Sequence, residues 1–208
     1  MTMMTERRTF LLGLTTAGLC SFRTRAGHAS PNRPQGNDRA GKLVAHARAQ
    51  IGVTLRYDPA YTSLLFPGGD VPREKGVCTD VMIRAYRDAF GIDLQALVHA
   101  DMRKAFAAYP KKWGLARPDR SIDHRRVPNL ARFFARMGAE RPIPPGGEGW
   151  QPGDIFTSIV GGNAPHIGIV SDRIGARAPL VLHNIGRGAR EEDALLDWPI
   201  TGRFRWKV

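Results

Sequence analysis

Apolar positions recur at helical spacing through the first two thirds of the chain, and the last third changes to short apolar runs. Leu43, Val44, Ala47 and Ile51 fall on one face of a helix predicted over residues 39–51. A second helix starts near Cys78 and ends before Gly91, a residue suited to a helix C-terminus. Its Val81, Ile83, Ala85, Tyr86 and Phe90 leave little of its surface for water. Asp93 caps a third helix that runs to about Tyr109. Pro128 opens a fourth that runs through Met137 and stops at Gly138. Four strands follow, over 154–160, 166–172, 180–185 and 202–208. They are β-branched or aromatic and are separated by glycine and proline turns. Between these elements, 57–72 is turn-rich and aromatic, 110–127 is irregular and basic, and 141–152 is rich in proline and glycine. Helices followed by antiparallel strands predict an α+β fold, with N-terminal helices packed on a C-terminal antiparallel sheet. No internal repeat is present.

A chain of 208 residues with 42% hydrophobic content suits one domain with a real core. No apolar run reaches the eighteen or so residues of a spanning helix. Residues 1–29 read as an export signal: Arg7-Arg8 opens it, an apolar stretch runs from Phe10 to Leu19, and Gly27-His28-Ala29 offers a cleavage site. The paired arginines before Phe10-Leu11 resemble a twin-arginine signal, and a plain secretory signal is the alternative. Either places the protein outside the cytoplasm, in the periplasm or cell envelope. Cys20 follows Leu19, where lipid attachment wants a small side chain, which argues against a lipoprotein. Residues 30–38 form a polar, proline-bearing linker, and 39–208 make the domain.

The net charge of +12 falls to +9 once residues 1–29 leave, since they carry four arginines and Glu6. A basic exported protein suits anionic partners. The arginines are scattered and no aromatic-basic interleaving forms a stacking platform, so nucleic acid is not an expected partner.

Only Cys78 survives in the mature chain. It has no internal disulfide partner, and it sits at a helix start, where partly positive N–H groups bias a thiol toward thiolate. Those groups also suit a tetrahedral oxyanion. Acyl transfer by cysteine further needs a base and a group that orients it. His166 leads the apolar run Ile167-Gly168-Ile169-Val170, and His183 follows Leu180-Val181-Leu182. On neighbouring antiparallel strands the two histidines face one side.

Gly68-Gly69 before the nucleophile, Pro152-Gly153-Asp154-Ile155 and His166-Ile167-Gly168-Ile169 occur in the order seen in NlpC-type cell-wall cysteine peptidases of the papain-like clan, which the chain resembles. Five stretches resemble, more narrowly, a YijF-like bacterial family of unknown function within that clan: Gly68 to Pro72, Gly76 to Val81, Ile122 to Leu130, Pro165 to Asp172 and His183 to Gly186. The resemblance covers roughly residues 45–208. It implies a papain-like fold and hydrolysis of an amide in peptidoglycan stem peptides. In that reading Cys78 attacks the carbonyl carbon, His166 carries the proton and His183 orients His166. One departure stands out. The clan's Asp and Ser around the nucleophile are replaced by Val77 and Thr79, and the acid stands at Asp80. Recognition of a free stem-peptide amine is therefore not implied here.

Asp80, Thr79, Arg125, Arg126 and Asn184 are the candidate substrate contacts. Within Asp123-His124-Arg125-Arg126, an arginine clamp on a substrate carboxylate competes with an internal ion-pair network. Cys78, His166 and His183 could in principle hold zinc, but no close-spaced ligand pair anchors such a site, so neither metal nor cofactor is expected. Two other functions fit the same residues: a non-catalytic cell-wall binding module, and an acyltransferase.

Overall fold

The computed structural model describes residues 38–208, so the expected export signal and most of the expected linker lie outside the described residues. The described chain is mixed α+β, with four helices and a five-stranded antiparallel sheet. Asp38, expected in the linker, is the cap of helix α1 (Arg39–Arg48) and accepts from the Gly41 N–H at 2.9 Å. The helix ends before Ile51, which is 43% exposed, because Gln50 turns inward and donates to the Val81 carbonyl at 2.7 Å. A two-stranded parallel ribbon joins β1 (Arg56–Tyr57) to β2 (Lys75–Gly76), where only turns were expected.

Helix α2 (Cys78–Phe90) starts at Cys78 and stops at Gly91, whose φ of 65° is open to glycine at little cost. Helix α3 (Leu94–Ala105) is capped by Asp93 and tightens into a 3₁₀ turn, Phe106–Ala108. A second 3₁₀ turn, Asp123–Arg125, interrupts the irregular segment and leads into α4 (Val127–Arg136).

The sheet runs in the order β6-β5-β4-β3-β7, from β3 (Ile155–Val160), β4 (Ala164–Ile174), β5 (Pro179–Asn184), β6 (Ala189–Glu192) and β7 (Ile200–Phe204). Strand β6 was not expected, since its sequence Ala-Arg-Glu-Glu carries no apolar run. Strand β7 ends earlier than its pattern suggests. Trp206 leaves the sheet and packs within 5.5 Å of the Tyr86, Phe133 and Phe134 rings. Strand alternation divides the core in two. Ile155, Ile167, Ile169 and Leu182 meet Val44, Met82, Leu130 and Phe134 on the helix side. Phe156, Val170 and Val181 meet Trp150 and Leu195 on the other.

Two features set the site's frame. Arg84, fully buried within α2, donates to Asp70 at 2.9 Å and to Thr54 Oγ1 at 3.0 Å. It also donates to the carbonyls of Val71 and Lys75, each at 3.0 Å. It thereby clasps the whole 54–75 loop to the helix. The Gly68-Gly69 turn docks on α3, where the Gly69 N–H donates to Gln95 at 2.9 Å. A β-carbon on Gly69 would meet the Leu65 carbonyl oxygen at 2.2 Å, so no larger residue fits there.

Candidate functional site

Asp80 shapes the start of α2 by accepting the Val77 N–H at 2.7 Å. Cys78 follows as the first helical residue and is buried in the helix-side core. The β4–β5 ladder pairs Ile169 with Leu182. Asn184, at the end of β5, donates to the Gly76 carbonyl at 3.0 Å. The Cys78 thiol feels the backbone N–H groups of Ile167 and Thr79 and lies near the Tyr57 hydroxyl. It is 4% exposed.

Burial reverses the expected ionisation. It pushes the Cys78 thiol up to about 12, and the Asp80 charge adds to that. The N–H groups of Ile167, Thr79 and Cys78 pull the other way and do not overcome it. A group so raised is thiol at neutral pH and becomes thiolate only in alkali. Its rate of alkylation by iodoacetamide is therefore expected to climb through pH 9 without levelling. A plateau below pH 8 would contradict this assignment.

His166 and His183 come together. His166 Nε2 lies 2.9 Å from His183 Nδ1, and the His183 Nε2 lies 3.1 Å from Glu192 Oε2. A carboxylate only accepts, so His183 donates from Nε2 to Glu192 and accepts at Nδ1 from His166. That order leaves His166 Nδ1 with a free lone pair. Burial pushes His166 down to about 3, assisted by His183. Burial also lowers His183, against the pull of Glu192. Both rings are neutral at neutral pH. Glu192 escaped the sequence reading because its strand has no hydrophobic signature. Its spacing of nine residues from His183, across a glycine-bearing turn, was the available clue.

Strand alternation puts the His166 ring on the sheet face opposite Ile167 and Ile169, whereas Cys78 packs with those two residues on the helix side. The His166 ring packs 6.0 Å from Phe156 and 6.3 Å from Trp198. Among the described residues no hydrogen bond joins the sulfur to this ring.

The thiol opens on a groove of about 520 Å³, lined among others by Tyr57, Trp113, Arg125, Arg126 and Asn163. Of the expected substrate contacts, Arg125 and Arg126 line it. The other three are buried and engaged within the protein. Thr79 donates to the Arg125 carbonyl at 3.1 Å. Asp80 receives Arg125 in a fork at 2.8 and 2.9 Å. Asn184 holds the Gly76 carbonyl. These three position the helix start, and none presents a polar atom to the groove. Of the two readings weighed for the Asp123 stretch, the internal ion-pair network is present. Asp123 pairs with Arg126 at 3.0 Å inside the fold, and the two arginines still face the groove.

No helix among the described residues is long and apolar enough to cross a membrane. No solved structure matches the chain. The uncharacterized protein YijF of Escherichia coli (strain K12) is 54% identical over 163 residues, spanning 78% of this chain and 79% of that protein. A family model described as a domain of unknown function, DUF1287, matches residues 44–206 and takes in every residue of the site. The chain belongs to this DUF1287 family.

Proposed function

We propose that the protein is an exported papain-like cysteine hydrolase of the NlpC type, and that it cleaves an amide bond in peptidoglycan stem peptides. One observation carries the reading: the single thiol among the described residues stands at a helix start and lines a groove, in a domain that also holds a His166–His183–Glu192 hydrogen-bond chain. With the pair neutral at rest, the reaction begins by general-base catalysis. His166 Nδ1 takes the thiol proton as the sulfur attacks the carbonyl carbon, a step that requires the ring to leave its place against Phe156 and Trp198 and reach the sulfur. The carbonyl oxygen becomes an oxyanion, facing the Cys78 N–H and the Tyr57 hydroxyl. Collapse expels the amine, which leaves with the proton from His166. Water, deprotonated by His166, then releases the acyl group from the thioester and restores the thiol.

Glu192 acts through His183, as a positioning residue. Glu192→Gln is expected to lower kcat about tenfold with little change in KM, since the proton-transfer step alone is touched. The acid limb of the pH profile should move to lower pH, because the carboxylate no longer supports protonation of His183. A changed KM with an unmoved limb would mark Glu192 as structural.

The raised thiol and lowered imidazole favour a second reading, a wall-binding module with an inert cysteine. Incubation of purified sacculi followed by mass spectrometry separates the two. Hydrolysis yields fragments with new amine and carboxylate ends, whereas a binding module yields none. Ligation of the acyl group to an added amine would instead mark an acyltransferase.

A further inference from the structure

Cations and carboxylates are unevenly spread over the surface. Residues 103–120 carry Arg103, Lys104, Lys111, Lys112, Arg117 and Arg120 against one acid, Asp119. Among the described residues none of these six forms an ion pair, whereas most other arginines hold a carboxylate. Asp119 itself is occupied by the Tyr61 hydroxyl at 3.2 Å and the Ser121 N–H at 2.9 Å. Three of the cations, Arg103, Lys104 and Arg120, stand around an apolar patch. Its Leu65 is 84% exposed, and Phe66 and Leu97 are exposed with it. The patch is braced from within. Gln95 Nε2 donates to the carbonyls of Leu65 at 2.9 Å and Arg120 at 3.0 Å, which ties both segments to the start of α3. Leu64 is buried and its N–H donates to Ser121 Oγ at 3.1 Å, so Leu65 is held outward. The Phe66 ring lies 5.1 Å from His99 of α3 and 5.8 Å from the Arg120 guanidinium. Leu97, Ala100 and Lys104 follow at helical spacing along the exposed side of α3, and Arg103 lies one turn on from His99.

A leucine displayed in this way gains only from an apolar partner, and the cations around it gain from an anionic one. A soluble polyanion would satisfy the cations and leave Leu65 in water. Nucleic acid offers phosphates, but its bases stack on aromatic rings and find none in two leucines. The surface of an anionic bilayer meets both demands, with phosphates for the cations and acyl chains for the apolar centre. We infer that this face docks the protein on a bilayer rich in anionic phospholipid. Leu65, Phe66 and Leu97 enter the headgroup region, and Arg103, Lys104 and Arg120 meet the phosphates. None of these six residues lines the groove at Cys78, so the docking face and the groove are separate surfaces and docking does not depend on the thiol.

Vesicle binding tests this. The mature chain, which lacks the apolar stretch from Phe10 to Leu19, is sedimented with sucrose-loaded vesicles of phosphatidylglycerol and phosphatidylcholine in equal parts, and with vesicles of phosphatidylcholine alone. Binding to the anionic vesicles is expected to be about tenfold tighter or better, and to weaken as salt is raised. Arg103→Gln, Lys104→Gln and Arg120→Gln together should weaken it about a hundredfold, at about fivefold for each cation near an anionic surface. Lys42→Gln, Arg141→Gln and Arg187→Gln remove the same charge from exposed, unpaired positions on α1, after α4 and in the β5–β6 turn. They should change binding by less than about threefold. Leu65→Ser should weaken it about tenfold. In Leu65→Trp the added emission should shift to the blue on the vesicles and be quenched by brominated lipid. All these side chains are exposed, and an unchanged urea midpoint shows that each variant is folded. Equal binding to the two kinds of vesicle overturns the inference, as do equal losses in the two triple variants. Wild-type binding by Leu65→Ser, with no quenching in Leu65→Trp, overturns it too and leaves a purely ionic surface for a soluble polyanion.

Discussion

Cys78→Ala is expected to abolish release of fragments from sacculi, by about a thousandfold or more, while the protein stays folded. The chemistry demands the first part, since no other thiol exists among the described residues. The second part follows from size. The sulfur is one atom at the edge of the core, and the neighbouring groove already admits solvent. Its loss should cost about 1 kcal/mol, in the range of small core truncations. Fragment analysis and denaturant unfolding on the same preparation check both halves. A folded alanine variant that digests sacculi at the wild-type rate would remove Cys78 from the mechanism altogether.

Arg84→Met is expected to be the most destabilising single change, at about 3–5 kcal/mol, the usual cost of breaking a buried ion pair from one side. Methionine fills much of the same volume but donates nothing. Thr54 Oγ1 and the carbonyls of Val71 and Lys75 lose a partner, and Asp70 loses its closest one. Asp70 keeps Arg87 at 3.6 Å and is itself 20% exposed, so part of the loss is recovered by water. The rest falls on the 54–75 loop, which carries Tyr57. The variant should therefore show faster proteolysis within this loop before global unfolding. Urea titration reads the stability, and limited proteolysis locates the weak point. A midpoint within about 1 kcal/mol of wild type would show that the loop is held by something other than Arg84.

How far the chain could be read depended on the range of the forces involved. Helix starts and stops are local events. Asp93, Pro128 and Gly91 act on backbone groups within a turn, and each stands where its chemistry placed it. The α2 start at Cys78 and the pairing of the two histidines were equally legible, since a helix boundary and a strand period are short-range signals. Strand β6, the β1–β2 ribbon and the early end of β7 were not. Each depends on a partner far along the chain: Glu192 opposite Val181, Tyr57 beside Gly76, Trp206 against Phe133.

The same division runs through the site. Residue order alone placed a lone thiol at a helix start and two histidines on adjacent strands, because these follow from neighbours a few positions away. Three-dimensional packing settled the ionisation of the thiol, the membership of Glu192 in the histidine chain, and the inward role of Asp80, Thr79 and Asn184. Dipoles from a helix start are counted from one segment. The loss of water around a sulfur is the work of every segment that closes over it, and here α2, β4 and the Tyr57 loop together outweigh the N–H groups that sequence order had credited.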